Sequence, residues 1–401
     1  MNTKLSWIFV AALSAASVSV SALGQHAPAS APARACLNVA AWTVPDGEHF
    51  RAAGTAEVLT RMVKRDVVLL GEYHDIVDDH RWQLQTLAAL YALQPNMIIG
   101  FEMFPRRVQP VLDRWVAGKL TDRQFLEQSE WDKGWNMPTE LYMPLFQFAR
   151  INRIPMVALN IDQNLSKAIA EKGWDAIPET EREGVGRAAA PSDVYRDLLF
   201  EIHRGHVLAQ GKDGMKTRKS DSAFRYFVES QTTWDRAMAE ALSRQRAGRE
   251  KPLAVGIMGS GHIRFGYGVP HQLHALGVKN VGTLLPLPFD YDCDEVRAGL
   301  ADAVFTLPEQ AVAKPEPPRL GVRLEENEDG VRIAQVTADS LAEKSGLKSG
   351  DRLLAVAGLP AKKAASVISS VREQPSGTWL PLRVQRGDQL LDLVVKFPPA
   401  P

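Results

Sequence analysis

Two hydrophobic patterns alternate along most of the chain. Continuous apolar runs occur at Val67-Val68-Leu69-Leu70, Met97-Ile98-Ile99-Gly100-Phe101, Ile154-Pro155-Met156-Val157-Ala158-Leu159 and Leu253-Ala254-Val255-Gly256-Ile257-Met258. A run without polar alternation marks a strand buried on both faces. Between these runs, apolar residues recur at helical spacing over Arg81 to Leu93, Leu141 to Arg150 and Phe224 to Leu242. Strands that alternate with helices predict an α/β fold, a largely parallel sheet covered by helices. The pattern changes after Arg319. Short alternating runs at Leu320 to Leu324, Gly330 to Val336 and Arg352 to Val356, with one helix begun by Asp339 or Ser340, predict a small mixed β domain. The stretch from Pro308 to Pro318 has four prolines and no hydrophobic period, and reads as an extended spacer.

The N-terminus begins Met-Asn-Thr-Lys, continues in an apolar run from Leu5 to about Val20, and reaches small residues at Ser21-Ala22-Leu23-Gly24. That is the layout of a secretory signal, and the run is shorter than the roughly 20 residues a membrane span needs. The expected organisation is a signal peptide over 1–24, an Ala/Pro-rich tether over 25–40, an α/β domain over 41–306, a linker over 307–318 and a small domain over 319–401. The product is expected in the periplasm or otherwise exported, with membrane association left open. Arg34, two residues before Cys36, argues against lipid attachment at that cysteine.

Composition narrows the function classes. The 401 residues are 45% hydrophobic and 23% charged, which excludes wholesale disorder, a collagen and a multi-span membrane protein. Lys+Arg and Asp+Glu are equal at 47, so no global field draws nucleic acid, and no phosphate-binding glycine loop precedes a helix. The two cysteines, Cys36 and Cys293, exclude all-cysteine zinc or iron–sulfur sites and leave room for one disulfide.

Polar residues follow each apolar run. Leu70 leads into Gly71-Glu72-Tyr73-His74, Met258 into Gly259-Ser260-Gly261-His262, Phe101 into Glu102 and Leu159 into Asn160. Ligands bind beyond the carboxyl ends of parallel strands, so His74, Glu102, Asn160 and His262 are expected at one edge. Two imidazoles and a carboxylate can ligate a divalent metal or divide general-base and electrostatic work. The plainer alternative is that they cap strands and bond to loops. On the stripe of Phe224, Phe227, Val228, Met238 and Leu242 fall Gln231 and Asp235, which must find partners in the site or in neighbouring backbone. His80, in a first helical turn, is expected to be solvated or capping. Trp131, Trp135, Met137, Tyr142 and Met143 form either a wall for a flat ligand or ordinary core. Tyr195, His203 and His206 stand on one helical stretch. The two histidines share a face at i, i+3 and can bind iron or another metal, or they belong to a basic lid with the loop from Gly211 to Lys219.

Taken together, Val68-Leu69-Leu70-Gly71-Glu72-Tyr73-His74-Asp75 with His80 and Gln83, Gly100-Phe101-Glu102-Met103-Phe104, Trp131 through Trp135 to Tyr142, Val157-Ala158-Leu159-Asn160, Gln231 through Trp234-Asp235 to Met238-Ala239, and Gly259-Ser260-Gly261-His262 resemble the ChaN-type haem-binding uptake proteins of the Tiki superfamily. The resemblance is collinear from about Val58 to Leu287. It implies haem binding in iron uptake, a tyrosine iron ligand, placed here at Tyr195 with His203 and His206 nearby, and a homodimer around haem. Relatives that are metal-dependent hydrolases imply the alternative of a peptidase or esterase using His74, Glu102 and His262, with Asn160, Gln231 and Asp235 in support. The small domain resembles a bacterial periplasmic PDZ domain, carried by Ser345-Gly346-Leu347-Lys348-Ser349-Gly350-Asp351. That resemblance implies docking of a partner's C-terminal peptide at Leu320-Gly321-Val322 and along a helix from Ala364 to Arg372, with Val367 and Val371 facing the groove.

Overall fold

The computed structural model describes residues 37–47, 49–209, 214–246, 251–309, 318–327 and 330–399. The signal, most of the tether, Cys36 and the middle of the linker lie outside the described residues. Two compact units part between Glu309 and Gln310.

The first unit is built on an eight-stranded sheet of β1 (Ala41–Asp46), β2 (His49–Ala53), β3 (Val67–Leu70), β4 (Met97–Pro105), β5 (Met156–Asn160), β6 (Leu253–Ile257), β7 (Val281–Leu287) and β8 (Ala303–Thr306), in the order β2-β1-β8-β7-β3-β6-β4-β5. The six strands from β8 to β5 run parallel, while β1 is antiparallel to both its neighbours. Alternation along each strand sorts the apolar side chains between two cores. Val68, Leu70, Ile99, Phe101, Val255 and Ile257 enter one, under α1 (Val77–Leu93) and α2 (Thr139–Ile151). Val67, Leu69, Ile98 and Ala254 enter the other, with Met238, Ala239 and Leu242. With α3 (Asp193–Ala209) and α4 (Ser222–Arg244), these helices carry the site's remaining side chains. No described helix is long and apolar enough to cross a membrane.

Register brings the polar residues together. Leu70 and Phe101 both pair with Ile257, so Glu72, Glu102 and Gly259 follow at nearly one level. The expectation that β4 stops at Glu102 is corrected: the strand continues to Pro105, and its pairing with β5 slips between Phe101 and Pro105. This irregularity lets Glu102 remain wholly buried inside an extended segment.

The second unit is an antiparallel sheet of β9 (Val322–Asn327), β10 (Gly330–Val336), β11 (Arg352–Val356), β12 (Leu359–Pro360), β13 (Trp379–Arg386) and β14 (Gln389–Lys396), in the order β14-β13-β11-β10-β9 with β12 on β11. α5 (Ala364–Arg372) contributes Val367 and Val371 to its core. The buried Asp351 accepts from Arg386 Nε at 2.7 Å and Nη2 at 2.8 Å, which ties β13 to the turn before β11.

Packing at the centre of the first sheet is tight. A Cβ on Gly100 would lie 2.6 Å from Leu159 Cδ2. Gly100→Ala is therefore expected to cost about 1–3 kcal/mol in urea unfolding, and Leu159→Val in the same chain should recover part of the loss.

Candidate functional site

Beyond the carboxyl ends of β3, β4 and β6, two similar assemblies flank one carboxylate. In the first, His74 Nδ1 lies 2.8 Å from Glu72 Oε1, and Tyr142 donates its hydroxyl to the same oxygen at 2.7 Å. In the second, His262 Nδ1 lies 2.6 Å from Asp235 Oδ1, and Tyr195 donates to Asp235 Oδ2 at 3.0 Å. Each imidazole also meets an indole: Trp135 at 4.8 Å from His74 and Trp234 at 5.1 Å from His262. Holding Nδ1 on a carboxylate fixes the ring and leaves Nε2 to face the site.

Glu102 stands between them. Its Oε2 accepts from the Gly259 amide at 2.6 Å, and its Oε1 lies 3.5 Å from His262 Nε2 with no hydrogen bond. An unsatisfied buried acceptor costs about 1–3 kcal/mol, and the charge of the facing His262 offsets part of that cost at this oxygen. A Cβ at residue 259 would come within 3.0 Å of His74 Cε1, and glycine there lets the imidazole approach. Asn160 donates to the Glu102 carbonyl at 2.9 Å and thereby holds the backbone of that residue.

Charge follows from this geometry. Burial alone would lower the pKa of His262, but the Glu102 and Asp235 carboxylates outweigh it and lift it to about 10. Burial opposes the charge on His74 too, yet Glu72 and Glu102 raise it. Glu102 and Glu72, against their burial, are held below the usual carboxylate range by these imidazoles.

The structure revises several expectations. His80 is neither solvated nor a cap: it is 3% exposed, 3.2 Å from the His74 carbonyl and 3.6 Å from Glu72 Oε2. Gln83 donates to that same oxygen at 2.9 Å. Burial explains the difference, since the first turn of α1 packs under the loop after β3. Tyr195, expected as the iron ligand, is 3% exposed with its hydroxyl on Asp235. His203 and His206 pack on Phe227, at 5.0 and 5.7 Å, two to three turns further along α3. Gln231 is half-buried one turn before Asp235. Trp131 and Tyr142 belong to the core, while Trp135 is the part of the aromatic wall that touches the site. Among the described residues no group of three or more His, Cys, Asp or Glu is arranged to hold a metal ion. Sequence reasoning missed Glu72 as a site residue and weighed Tyr142 only as ligand wall or core, not as a hydrogen-bond donor to Glu72. The signal was a phenol on a buried stripe, which needs an acceptor.

Beside this cluster lies a rim of rings and guanidinium groups on the loops after β3, β6 and β7. Arg264 bonds the Tyr291 hydroxyl and lies 5.3 Å from that ring. Phe265 and Tyr267 stack at 5.4 Å, and Arg297 covers Phe265 at 5.0 Å. Tyr73 is half-buried there. Burial pushes its phenol up, and the Arg264 charge works against that rise.

In the second unit Leu320 is 5% exposed, Gly321 takes φ +79°, and Val322 opens the edge strand β9. Val367 and Val371 are 2% and 6% exposed and join the core, so the side of α5 open to solvent is marked instead by Ile368, 42% exposed.

The chain belongs to the haem-binding uptake family, ChaN, of the Tiki superfamily, whose family model matches residues 58–273. Residues 318–397 match the PDZ domain. Among solved structures, the chain is similar to ChaN of Campylobacter jejuni with cofacial haem bound, at 19% identity over 63% of this chain and 92% of that one, with a TM-score of 0.48. The chain is also similar to a serine endoprotease from Yersinia pestis (24% identity, 20% of this chain and 29% of that one, TM-score 0.19) and to the HtrA3 PDZ domain bound to a phage-derived ligand (20% identity, 20% of this chain and 82% of that one, TM-score 0.18). No curated protein matches the chain.

The charge on His262 makes a prediction. Its folded pKa of about 10 lies above the unfolded value near 6.5. Its contribution to stability is therefore complete below about pH 6.5 and is lost as pH climbs toward 10. Nitrogen-15 NMR should show an imidazolium persisting above neutral pH, and Asp235→Asn should move the midpoint downward.

Proposed function

We propose that this chain is an exported haem-binding protein of iron uptake, whose PDZ domain docks the C-terminus of a protein partner. Membership of the ChaN family carries the reading. The rim supports it chemically. A haem needs a flat apolar contact, cations for its propionates and an oxygen or nitrogen for its iron, and Phe265, Tyr267, Tyr291, Arg264 and Arg297 with Tyr73 offer these. With the Tyr195 hydroxyl committed to Asp235, we assign the iron to the Tyr73 phenol and give Tyr195 the role of holding Asp235 and, through it, His262. His203 and His206 then lie outside the iron site. Bound haem supplies a ferric centre that favours a phenolate, and the nearby Arg264 charge favours the same ionised form. A rim shared between two copies gives the proposed homodimer around haem.

Export is supported by the signal-like N-terminus and by Cys293, which is disulfide-bonded; Cys36 is the chain's only other cysteine. Disulfides persist in oxidising compartments. Protein recovered from the periplasmic fraction should begin near Gln25 on N-terminal sequencing, and an intact Met1 would reject cleavage.

A second reading, a metal-dependent hydrolase, is favoured by one observation: Glu102 Oε1, buried and unbonded, faces His262 Nε2. His74, Glu102 and His262, which are not arranged as a metal site here, would have to draw together to hold the divalent metal, whose role would be to polarise a carbonyl or activate water. Haemin titration into the full chain separates the readings. The haem reading expects a saturable Soret band that Tyr73→Phe weakens strongly and His74→Ala leaves in place. No saturable Soret change would reject the haem reading, and a stoichiometric metal lost in His74→Ala would support the metal site that the hydrolase reading needs.

A further inference from the structure

The disulfide on the loop after β7 does more than mark an oxidising compartment, and its further role rests on the haem reading of the rim. β7 ends at Leu287 and β8 begins at Ala303. The far end of the intervening loop is well held: Phe265 N–H donates to the Leu300 carbonyl at 3.0 Å, and Thr283 N–H donates to Asp302 Oδ2 at 2.9 Å. The near end is not. From Pro288 to Gly299 no residue is buried, and only Tyr291 and Val296 are half-buried. A segment with so few buried contacts opens at little cost in free energy. This same segment supplies Tyr291, Glu295 and Arg297 to the rim.

Two ties hold it. The first is polar: Arg264 donates to the Tyr291 hydroxyl, which in turn donates to Glu295 Oε2 at 2.9 Å. The second is covalent. Cys293 lies between those two residues, is exposed, and is disulfide-bonded. Among the described residues no cysteine is free, and Cys36 is the chain's only other one. Position 36 directly precedes Leu37, which is 8% exposed and belongs to the core against which Tyr291, Val296 and Phe265 pack. Joining Cys293 to Cys36 therefore ties the loop to a stretch of chain anchored in that same core. Such a cross-link removes open forms of the loop from the ensemble. It keeps Tyr291 and Glu295 on the Arg264 guanidinium, and Arg297 over Phe265 at 5.0 Å.

We propose that a Cys36–Cys293 disulfide positions the cationic rim for the haem propionates, and that its reduction lowers the affinity for haem. A dithiol supplies the two electrons. Its thiolate attacks one sulfur, the S–S bond breaks, the reductant closes its own disulfide, and its two protons end on the two cysteine thiols. Peptide mapping without reductant should join residues 36 and 293 of one chain, and any other pairing would overturn the proposal. Haemin is titrated into the full chain and into the chain carrying Cys36→Ser and Cys293→Ser, each with and without Arg264→Gln. The serines leave no thiol to ligate iron. Arg264→Gln is expected to weaken haemin binding about ten-fold in the cross-linked chain and less than about two-fold without the cross-link. Hydrogen exchange should quicken over 288–299 when the cross-link is absent. Should the double-serine chain fail to fold, the native chain reduced with dithiothreitol and capped with iodoacetamide gives the same comparison. An equal loss in both backgrounds would make the disulfide a general staple, overturning the positioning role while haem binding stands. Absence of a saturable Soret band in the native cross-linked chain would overturn the haem reading, and the positioning role with it.

Discussion

Three carboxylates are buried at one edge of a parallel sheet, and the arrangement around them follows from that constraint. Glu72, Glu102 and Asp235 are each 2% exposed or less. Ionised carboxylates cannot stay in such a place without donors and countercharge. Glu72 and Asp235 are satisfied by imidazole and phenol, and Glu72 by a glutamine as well. Glu102 has one oxygen on the Gly259 amide and the other left to the approach of His262. The histidines are therefore part of the support of the fold as well as of its site. Removing either leaves a buried negative charge short of its partner.

The supporting groups come from distant parts of the sequence. Tyr142 reaches Glu72 from α2, Tyr195 reaches Asp235 from α3, and Asp235 itself is on α4. Closing the first assembly requires the helices on one face of the sheet to be docked, and closing the second requires those on the other. The rings of Trp135 and Trp234 then cover the imidazoles, so that only small parts of His74 and His262 reach solvent, 16% and 12% of their side chains. An edge built in this way is held before any ligand arrives.

The strands and their polar ends were legible in the sequence because a buried parallel strand leaves an uninterrupted apolar run, and the residue after it is forced to the ligand-binding edge. His74, Glu102, Asn160 and His262 were found on that ground. Asp235 was found because a carboxylate on an apolar stripe must be paired. His80 was misread, since a first-turn histidine looks the same in sequence whether a loop covers it or water does. Tyr195 as a partner of Asp235 is not legible either: its acceptor is 40 residues away, and no local pattern encodes that distance. In the small domain the period of α5 identified an apolar helix but not which side of it faces the core, so Val367 and Val371 were assigned to the groove and Ile368 was passed over.

The antiparallel strand β1 has a mechanical consequence. Ala41 pairs with Thr306, and Ala40 N–H donates to the Thr306 carbonyl at 2.8 Å. The chain therefore enters and leaves the first unit at the same end of one ribbon. Tension applied between the residues before β1 and those after β8 would load this ribbon at its open end and peel its hydrogen bonds one after another. A shearing geometry would break them together and resist more strongly. The parallel strands that carry the histidines and Glu102 lie inward of this seam, so the seam would yield first under load.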